Sequence, residues 1–194
     1  MAGSFVQTGP SRPPVVRMAE GVGSRVWGMR VLFAALCLAF IFLKLTPFST
    51  APQLWTGPDW MVVLSLAWAA RQPDYTPAWL IAGMFLLADF LLMRPPGLGA
   101  FVMVIAVEVQ RRRAPSIRDA TFVTEWATAA GLMLATALAA RLIMLVVFVD
   151  PPSLGLTLIQ VLMNFATYPL VVLLSQVLFG VRRQAARDGH LGTT

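Results

Sequence analysis

The stretch from 77 to 99 constrains the fold most strongly, because it is an apolar helix candidate that contains a single carboxylate. Asp89 lies among leucine and phenylalanine side chains, and the stretch closes at the turn Arg94-Pro95-Pro96-Gly97. In hydrocarbon a charged side chain costs about 2.5 to 3.5 kcal/mol on insertion scales. The sequence therefore predicts a buried polar partner for Asp89.

The composition indicates an integral membrane protein. Hydrophobic residues make up 58% of the 194 residues and charged residues 12%, whereas soluble domains have roughly 45–50% and about 25%. The chain is long enough for several spanning helices of roughly 20 residues each. The net charge of +6 is therefore interpreted first as a topology signal, not as affinity for nucleic acid.

Six apolar stretches, separated by short polar segments, predict an all-α bundle of six transmembrane helices with short loops. Residues 1–24 predict a flexible N-terminal tail, 25–181 the transmembrane domain, and 182–194 a basic C-terminal tail. The predicted helices cover 27–45, 58–70, 77–93, 97–110, 122–149 and 153–181.

The distribution of cations predicts that both termini are cytoplasmic. With that orientation only Lys44 and Arg94 face outward, and Arg141 lies within the bilayer. All other cations fall on the inner side, as the positive-inside rule requires for short loops. The inner arginine clusters are also expected to touch anionic lipid.

Three polar residues are expected to form an intramembrane polar core: Asp89, Arg141 and Asn164. Asp89 and Arg141 both fall in the outer half of the membrane, so we hypothesise that they form an ion pair. The alternative is that Asp89 reaches outward while Arg141 binds Asn164, backbone carbonyls or water.

Three other acids have simpler interpretations. Glu108 precedes Arg111 and Arg112 by three and four residues, which is ion-pair spacing on a helix. Glu125 lies in the first turn of the fifth helix, where a carboxylate meets the helix dipole. Asp59 fits either such a helix-start position or a contact at the outer surface.

Small residues at a spacing of four indicate a packing face on the fifth helix, which would be buried within the bundle or against the single helix of a partner. These residues are Ala127, Gly131, Ala135 and Ala139. In the sixth helix Pro169 is expected to free a backbone carbonyl and to kink the helix.

No catalytic or cofactor motif is visible, so we expect neither an enzyme nor a bound cofactor. One histidine, His190, and one cysteine, Cys37, cannot build a protein-only zinc site. The sequence contains no glycine-rich nucleotide-binding loop.

Across residues 27–183 the chain resembles the MreD-type rod-shape-determining membrane proteins of bacteria. The matching pattern begins with a Pro-Asp pair before a helix that ends near Trp68, continues with Arg71-x-Pro73 and the Pro-Pro-Gly turn, and closes with an arginine-rich tail. The single motif positions are Pro58, Asp59, Gly83, Asp89, Gly99, Tyr168 and Pro169. The chain departs from the family at 90–95, where an apolar stretch replaces a polar, glycine-containing one.

The resemblance implies a non-enzymatic component of the cell-elongation machinery in the bacterial cytoplasmic membrane. Its implied partners are an MreC-like single-helix scaffold, the actin-like MreB, a RodA-like glycosyltransferase and a penicillin-binding transpeptidase. It also implies a six-helix fold similar to the substrate-binding subunits of energy-coupling-factor vitamin transporters.

Two transport functions remain as alternatives. Ala35-x-x-x-Ala39 resembles the motif by which those vitamin-binding subunits dock their coupling protein, and Trp55, Trp60, Asp59 and Asn164 could line an outward-facing pocket. The outer loops, however, are short for a lid. A small ion-coupled transporter with Asp89 as its ion site is the other alternative.

Overall fold

The computed structural model describes residues 14–46, 57–117 and 121–181. Within these ranges the chain is all helical, with six α-helices, one 3-10 turn and no strand. The helices are α1 (Pro14–Leu45), α2 (Trp60–Arg71), α3 (Ala78–Leu91), α4 (Leu98–Ile117), α5 (Phe122–Val146) and α6 (Leu154–Phe179), with the 3-10 turn at Pro73–Tyr75. The predicted all-α class is confirmed.

Three of the helices are long and apolar enough to cross a membrane: Gly23–Leu45 within α1, Phe122–Val146 and Leu154–Phe179. Helices α2 and α3 are apolar but contain only 12 and 14 residues. At about 1.5 Å per residue they are roughly 18 and 21 Å long. These two helices are thus shorter than the hydrocarbon core of a bilayer, which is about 30 Å thick.

Helix α2, and not the 77–99 stretch, lies at the centre of the bundle. It contacts α1, α4, α5 and α6, and almost all of its side chains from Met61 to Arg71 are buried. Fully buried Trp68 packs against the rings of Phe33, Tyr75 and Phe179. Its indole N–H donates to Ser175 Oγ at 3.0 Å. Because other helices surround α2, its polar ends can be satisfied by protein, and the helix does not have to match the thickness of the bilayer.

Two helices extend beyond their predicted bounds. Helix α1 begins at Pro14, inside the stretch for which the sequence predicts a flexible tail; proline suits a first helical turn because its missing N–H needs no partner there. Helix α4 continues through Arg111 to Ile117 instead of ending before the arginines. Glu108 supports this extra length, since it forms the predicted ion pairs with Arg111 and Arg112.

Three helices end with a residue in the left-handed region: Met93 at φ 55°, Phe148 at φ 58° and Gly180 at φ 63°. At the end of α3 the Arg94 N–H donates to the Asp89 carbonyl at 2.9 Å, which is the Schellman arrangement that satisfies the last carbonyls of a helix. Gly97, at φ 85°, then turns the chain directly into α4. This tight turn holds α3 and α4 side by side.

The small residues of α5 do not pack within the bundle, so that part of the prediction is wrong. Ala127, Gly131 and Ala135 are exposed and Ala139 is half-buried. The buried face of α5 is instead formed by Glu125, Ala129 and Met133. The polar Glu125 therefore decides which side of α5 faces inward, and the small residues face outward.

Candidate functional site

At one end of the bundle, Asp59 joins four elements through both its backbone and its side chain. Its backbone N–H donates to Asn164 Oδ1 on α6 at 2.6 Å. Its carboxylate lies 3.0 Å from Lys44 Nζ on α1 and 3.8 Å from Arg94 Nη2 after α3. Asp59 itself immediately precedes α2, and it is 6% exposed. Asp59 is the N-cap residue of α2, so it has the predicted helix-start position, although its side chain makes no capping bond. A contact at the outer surface stays a prediction.

The charges around Asp59 keep its carboxyl ionised. Burial raises the pKa of this carboxyl, but the positive charges of Lys44 and Arg94 oppose that effect, and the pKa lies below its usual value. One carboxylate oxygen, Oδ1, is buried and has no hydrogen-bond partner among the described residues. A buried acceptor without a partner is uncommon in proteins. This oxygen is enclosed by the surrounding protein and does not open into solvent.

Asp89 is buried as predicted, and its partners are backbone amides. Its Oδ2 accepts from the N–H of Gly99 at 2.9 Å and from that of Ala100 at 3.3 Å. These amides belong to the first turn of α4, where helix N–H groups lack intrahelical partners and the helix dipole favours a negative charge. A Cβ atom at Gly99 would overlap Asp89 Oδ1. Two positions of the predicted motif are thus in direct contact, and a side chain at position 99 would have to displace the Asp89 carboxylate.

Arg141 does not pair with Asp89, so the proposed ion pair is wrong in the described part of the chain. The Arg141 guanidinium instead donates from Nη1 to the carbonyl of Pro152, which precedes α6. The carboxylate of Asp89 is instead stabilised by hydrogen bonds from two amides of α4. Arg141 is left without an acidic partner among the described residues.

The three predicted polar-core residues nevertheless line one cavity. Its volume is about 280 Å³, and it lies between α2, α3, α4, α5 and α6 near the end of the bundle that contains Asp59. Its polar lining comes from both acids, both arginines and the amides and hydroxyls of α5 and α6: Asp59, Asp89, Arg94, Thr136, Arg141, Thr157, Gln160 and Asn164. Asp89, Arg141 and Asn164 are therefore close together, as the sequence predicts, but they share a cavity and Asp89 and Arg141 do not form an ion pair.

At the opposite end, a second polar cluster joins α2, α5 and α6. Arg71 Nε donates to Glu125 Oε1 at 2.8 Å, and Arg71 Nη2 lies 3.4 Å from Oε2. The Tyr168 hydroxyl also donates to Glu125 Oε1, at 3.0 Å. All three side chains are buried. The cluster is a nearly closed network that fixes three helix faces relative to one another.

Sequence reasoning missed this second cluster. The sequence analysis counted Arg71 among the cations that define the topology, and it assigned Glu125 to a favourable interaction with the dipole of the fifth helix. Because each residue already had an explanation, no contact between them was predicted. The missed signal was the predicted topology, because α2 ends and α5 begins on the same side of the bundle. Two opposite charges at that side, both next to apolar helices, favour pairing.

Pro169 in α6 frees the carbonyl of Phe165, as the sequence predicts, because proline has no N–H to donate to it. The indole N–H of Trp126 on α5 donates to this carbonyl at 2.9 Å. The rings of Trp126 and Phe165 also stack, with 4.2 Å between their centroids. The proline thereby creates an acceptor that attaches α5 to α6.

The remaining motif positions have simpler surroundings. Pro58 is half-buried next to Asp59. Gly83 is exposed on α3, and a Cβ added there would meet nothing within 4 Å. Its presence in the motif is not explained by packing within the described residues.

Comparison with family models, curated proteins and solved structures finds no match for this chain. We therefore base the proposed function on the geometry of the two polar clusters and on the resemblance of the motif residues.

Proposed function

We propose that the chain is a non-enzymatic membrane component of the bacterial cell-elongation machinery, of the MreD type. The observation that supports this most directly is the contact between Asp89 and Gly99. These motif positions are ten residues apart and in direct contact: the carboxylate binds the Gly99 amide, and a larger residue at position 99 would have to displace it. These two motif residues thus form one structural unit, which a chance match of single residues would not explain.

In this proposal all six helices cross the cytoplasmic membrane, with both termini in the cytoplasm. The distribution of Lys and Arg supports this orientation. Lys44, Asp59 and Arg94 lie together at one end, which is the outer end in this topology. The shortness of α2 is compatible with a span because neighbouring helices surround it.

The exposed small residues of α5 supply a face for the single helix of an MreC-like scaffold. Ala127, Gly131 and Ala135 lie outward on a helix long enough to cross a membrane. Small residues let two helices approach closely, and close approach drives helix association in lipid. A bundle with short loops acts mainly by holding other helices in the membrane plane, which suits a scaffold for MreB-like, RodA-like and transpeptidase partners.

The test is co-purification in mild detergent from native membranes, followed by mass spectrometry of the retained proteins. We expect an MreC-like scaffold together with wall-synthesis enzymes. Gly131→Leu should reduce that recovery, because it fills the close-approach face, whereas Leu142→Ala, on the exposed apolar surface of the same helix, should not. Recovery of ATP-binding cassette subunits without wall-synthesis proteins would contradict the proposal.

The cavity favours one second function, that of a substrate-binding subunit of an energy-coupling-factor transporter. Its volume of about 280 Å³ lies just below the range of roughly 300–1,000 Å³ that is usual for small-molecule sites. Ala35 and Ala39 are exposed on α1, as a docking motif would require. A vitamin retained through purification would support this function over the scaffold.

A further inference from the structure

The cavity at the Asp59 end contains hydrogen-bonding groups that the protein itself does not satisfy. Arg141 donates only to one backbone carbonyl. The side-chain oxygen of Asn164 accepts from the Asp59 amide, while its amide nitrogen donates to none of the described residues. Arg141 and Asn164 both line one cavity, so a single occupant could bind both.

The charges at this end favour an anionic occupant. Around the cavity two carboxylates, Asp59 and Asp89, face three cations, Lys44, Arg94 and Arg141. The third acid of this end, Asp150, is exposed in the loop between α5 and α6 and does not line the cavity. Asp59 is paired with Lys44 and Arg94, and Asp89 is bound by two amides of α4. Arg141 is therefore the cation left over. An arginine with free donors is well suited to a phosphate or carboxylate, since its planar group makes two parallel hydrogen bonds.

The amide nitrogen of Asn164 adds a second requirement. Asn164 is buried, so this donor needs an acceptor from the occupant. Thr157 and Gln160 line the same cavity and offer further hydrogen bonds. A hydroxyl group fits these side chains, because it can accept from one and donate to another. The occupant thus needs one anionic group and at least one hydroxyl.

We propose that this cavity is a binding site for a phosphate ester that carries hydroxyl groups. Arg141 binds the phosphate, and the amide nitrogen of Asn164 donates to a hydroxyl oxygen. Because the chain contains three helices able to cross a membrane, one source of this chemistry is the headgroup of phosphatidylglycerol. The other source is a soluble glycerophosphate. The proposal goes beyond scaffolding and does not depend on which protein partner the bundle binds.

Thermal unfolding in detergent micelles tests the site, and the protein supplies its own reporter. Its single cysteine, Cys37, is fully buried, so a maleimide dye that fluoresces on reaction with a thiol reports unfolding. Three probes with the same acyl chains are compared: phosphatidylglycerol, phosphatidylmethanol and phosphatidylcholine. Phosphatidylmethanol keeps the single negative charge but has no hydroxyl. Glycerol 3-phosphate is the soluble probe.

We expect phosphatidylglycerol to raise the midpoint of unfolding in a saturable way, at a concentration at least tenfold lower than either other lipid. Arg141→Gln should raise its half-saturating concentration at least tenfold, and Arg141→Lys should restore part of the affinity. The matched control is Arg113→Gln, an exposed arginine near the other end of the bundle, which should change nothing. Asn164→Asp, which keeps an acceptor for the Asp59 amide but loses the donor, should remove the preference over phosphatidylmethanol.

The other outcomes are equally decisive. Saturable stabilisation by glycerol 3-phosphate with the same dependence on Arg141 would support the site and assign it to a soluble ligand. Equal stabilisation by all three lipids would overturn the proposal, since it would indicate a general detergent effect. An unchanged half-saturating concentration in Arg141→Gln, or no stabilisation by any probe, would overturn it as well.

Discussion

The two ends of the bundle treat buried charge in different ways. At the Glu125 end a carboxylate binds two buried side chains, Arg71 and Tyr168. At the Asp89 end the carboxylate binds the backbone amides of Gly99 and Ala100. Arg141, which the sequence predicts as its partner, makes no ion pair with it. In the first arrangement opposite charges pair with each other and hold three helices together. In the second, backbone amides bind Asp89, so Arg141 lines the cavity without an acidic partner among the described residues.

The largest effect is expected from Glu125→Ala, because it leaves Arg71 buried without its counter-ion. Breaking a buried ion pair from one side costs about 3–5 kcal/mol. Denaturant titration in micelles, followed by Cys37 labelling, measures the free energy of unfolding. Glu108→Ala is the surface control, because its pairs with Arg111 and Arg112 are partly or largely exposed and such pairs contribute about 0–1 kcal/mol.

A double variant sharpens the interpretation of this network. Replacing both charges, as in Arg71→Met with Glu125→Leu, should recover most of the stability, since buried ion pairs often exchange for apolar residues at little cost. If the double variant is as unstable as Glu125→Ala alone, the stability of the network does not come only from the pairing of the Arg71 and Glu125 charges.

The second effect concerns the Asp89 end and its glycine. Gly99→Ala should destabilise by about 1–3 kcal/mol, because the new Cβ overlaps Asp89 Oδ1 and overpacking costs this much. Gly83→Ala is the matched control. Gly83 lies in the interior of α3 with open space around it, and alanine there should stabilise by up to about 1 kcal/mol.

Combining the variants tests the contact itself. In an Asp89→Ala background the carboxylate is absent, so Gly99→Ala should cost less than it does in the original chain. Strictly additive losses would contradict a direct contact.

The sequence predicted the helical architecture well, because apolar stretches and proline-containing turns are local signals. It also selected Asp89, Arg141 and Asn164, since intramembrane polar residues are conspicuous. It could not predict their partners. Asp89 binds two backbone amides, which are present at every position and leave no trace in the composition; Gly99 was the only hint. The ion pair with Arg141 was the simplest solution for two charges, but the backbone provided another.

The direction of the small residues on α5 could not be predicted for a related reason. Spacing alone identifies a stripe of small residues but not the direction in which it points. A single buried side chain, Glu125, sets that direction through contacts with α2 and α6. These contacts are more than forty residues away in sequence, so no local pattern could reveal them.

A smaller effect tests the attachment of α5 to α6 through Trp126. Trp126→Phe keeps an aromatic ring against Phe165 but removes the donor to its carbonyl, and a lost hydrogen bond of this kind costs about 1–2 kcal/mol. In a Pro169→Ala background the backbone N–H of residue 169 can bind that carbonyl. The cost of Trp126→Phe should then fall by at least half; an equal cost in both backgrounds would show that Pro169 does not create the need for Trp126.

The smallest effect is expected at Arg141, and it separates the two ends most directly. Arg141 is half-buried and bonds only to the Pro152 carbonyl, so Arg141→Gln should lower the free energy of unfolding by less than about 1 kcal/mol. Arg71→Gln, in contrast, should cost several-fold more, because it removes the buried guanidinium that binds Glu125. Since Asp89 does not bind Arg141, the losses in Asp89→Asn and Arg141→Gln should add within about 0.5 kcal/mol. A coupling energy well above that value would show that Asp89 and Arg141 do form an ion pair. Arg141 would then not be free to bind the ligand.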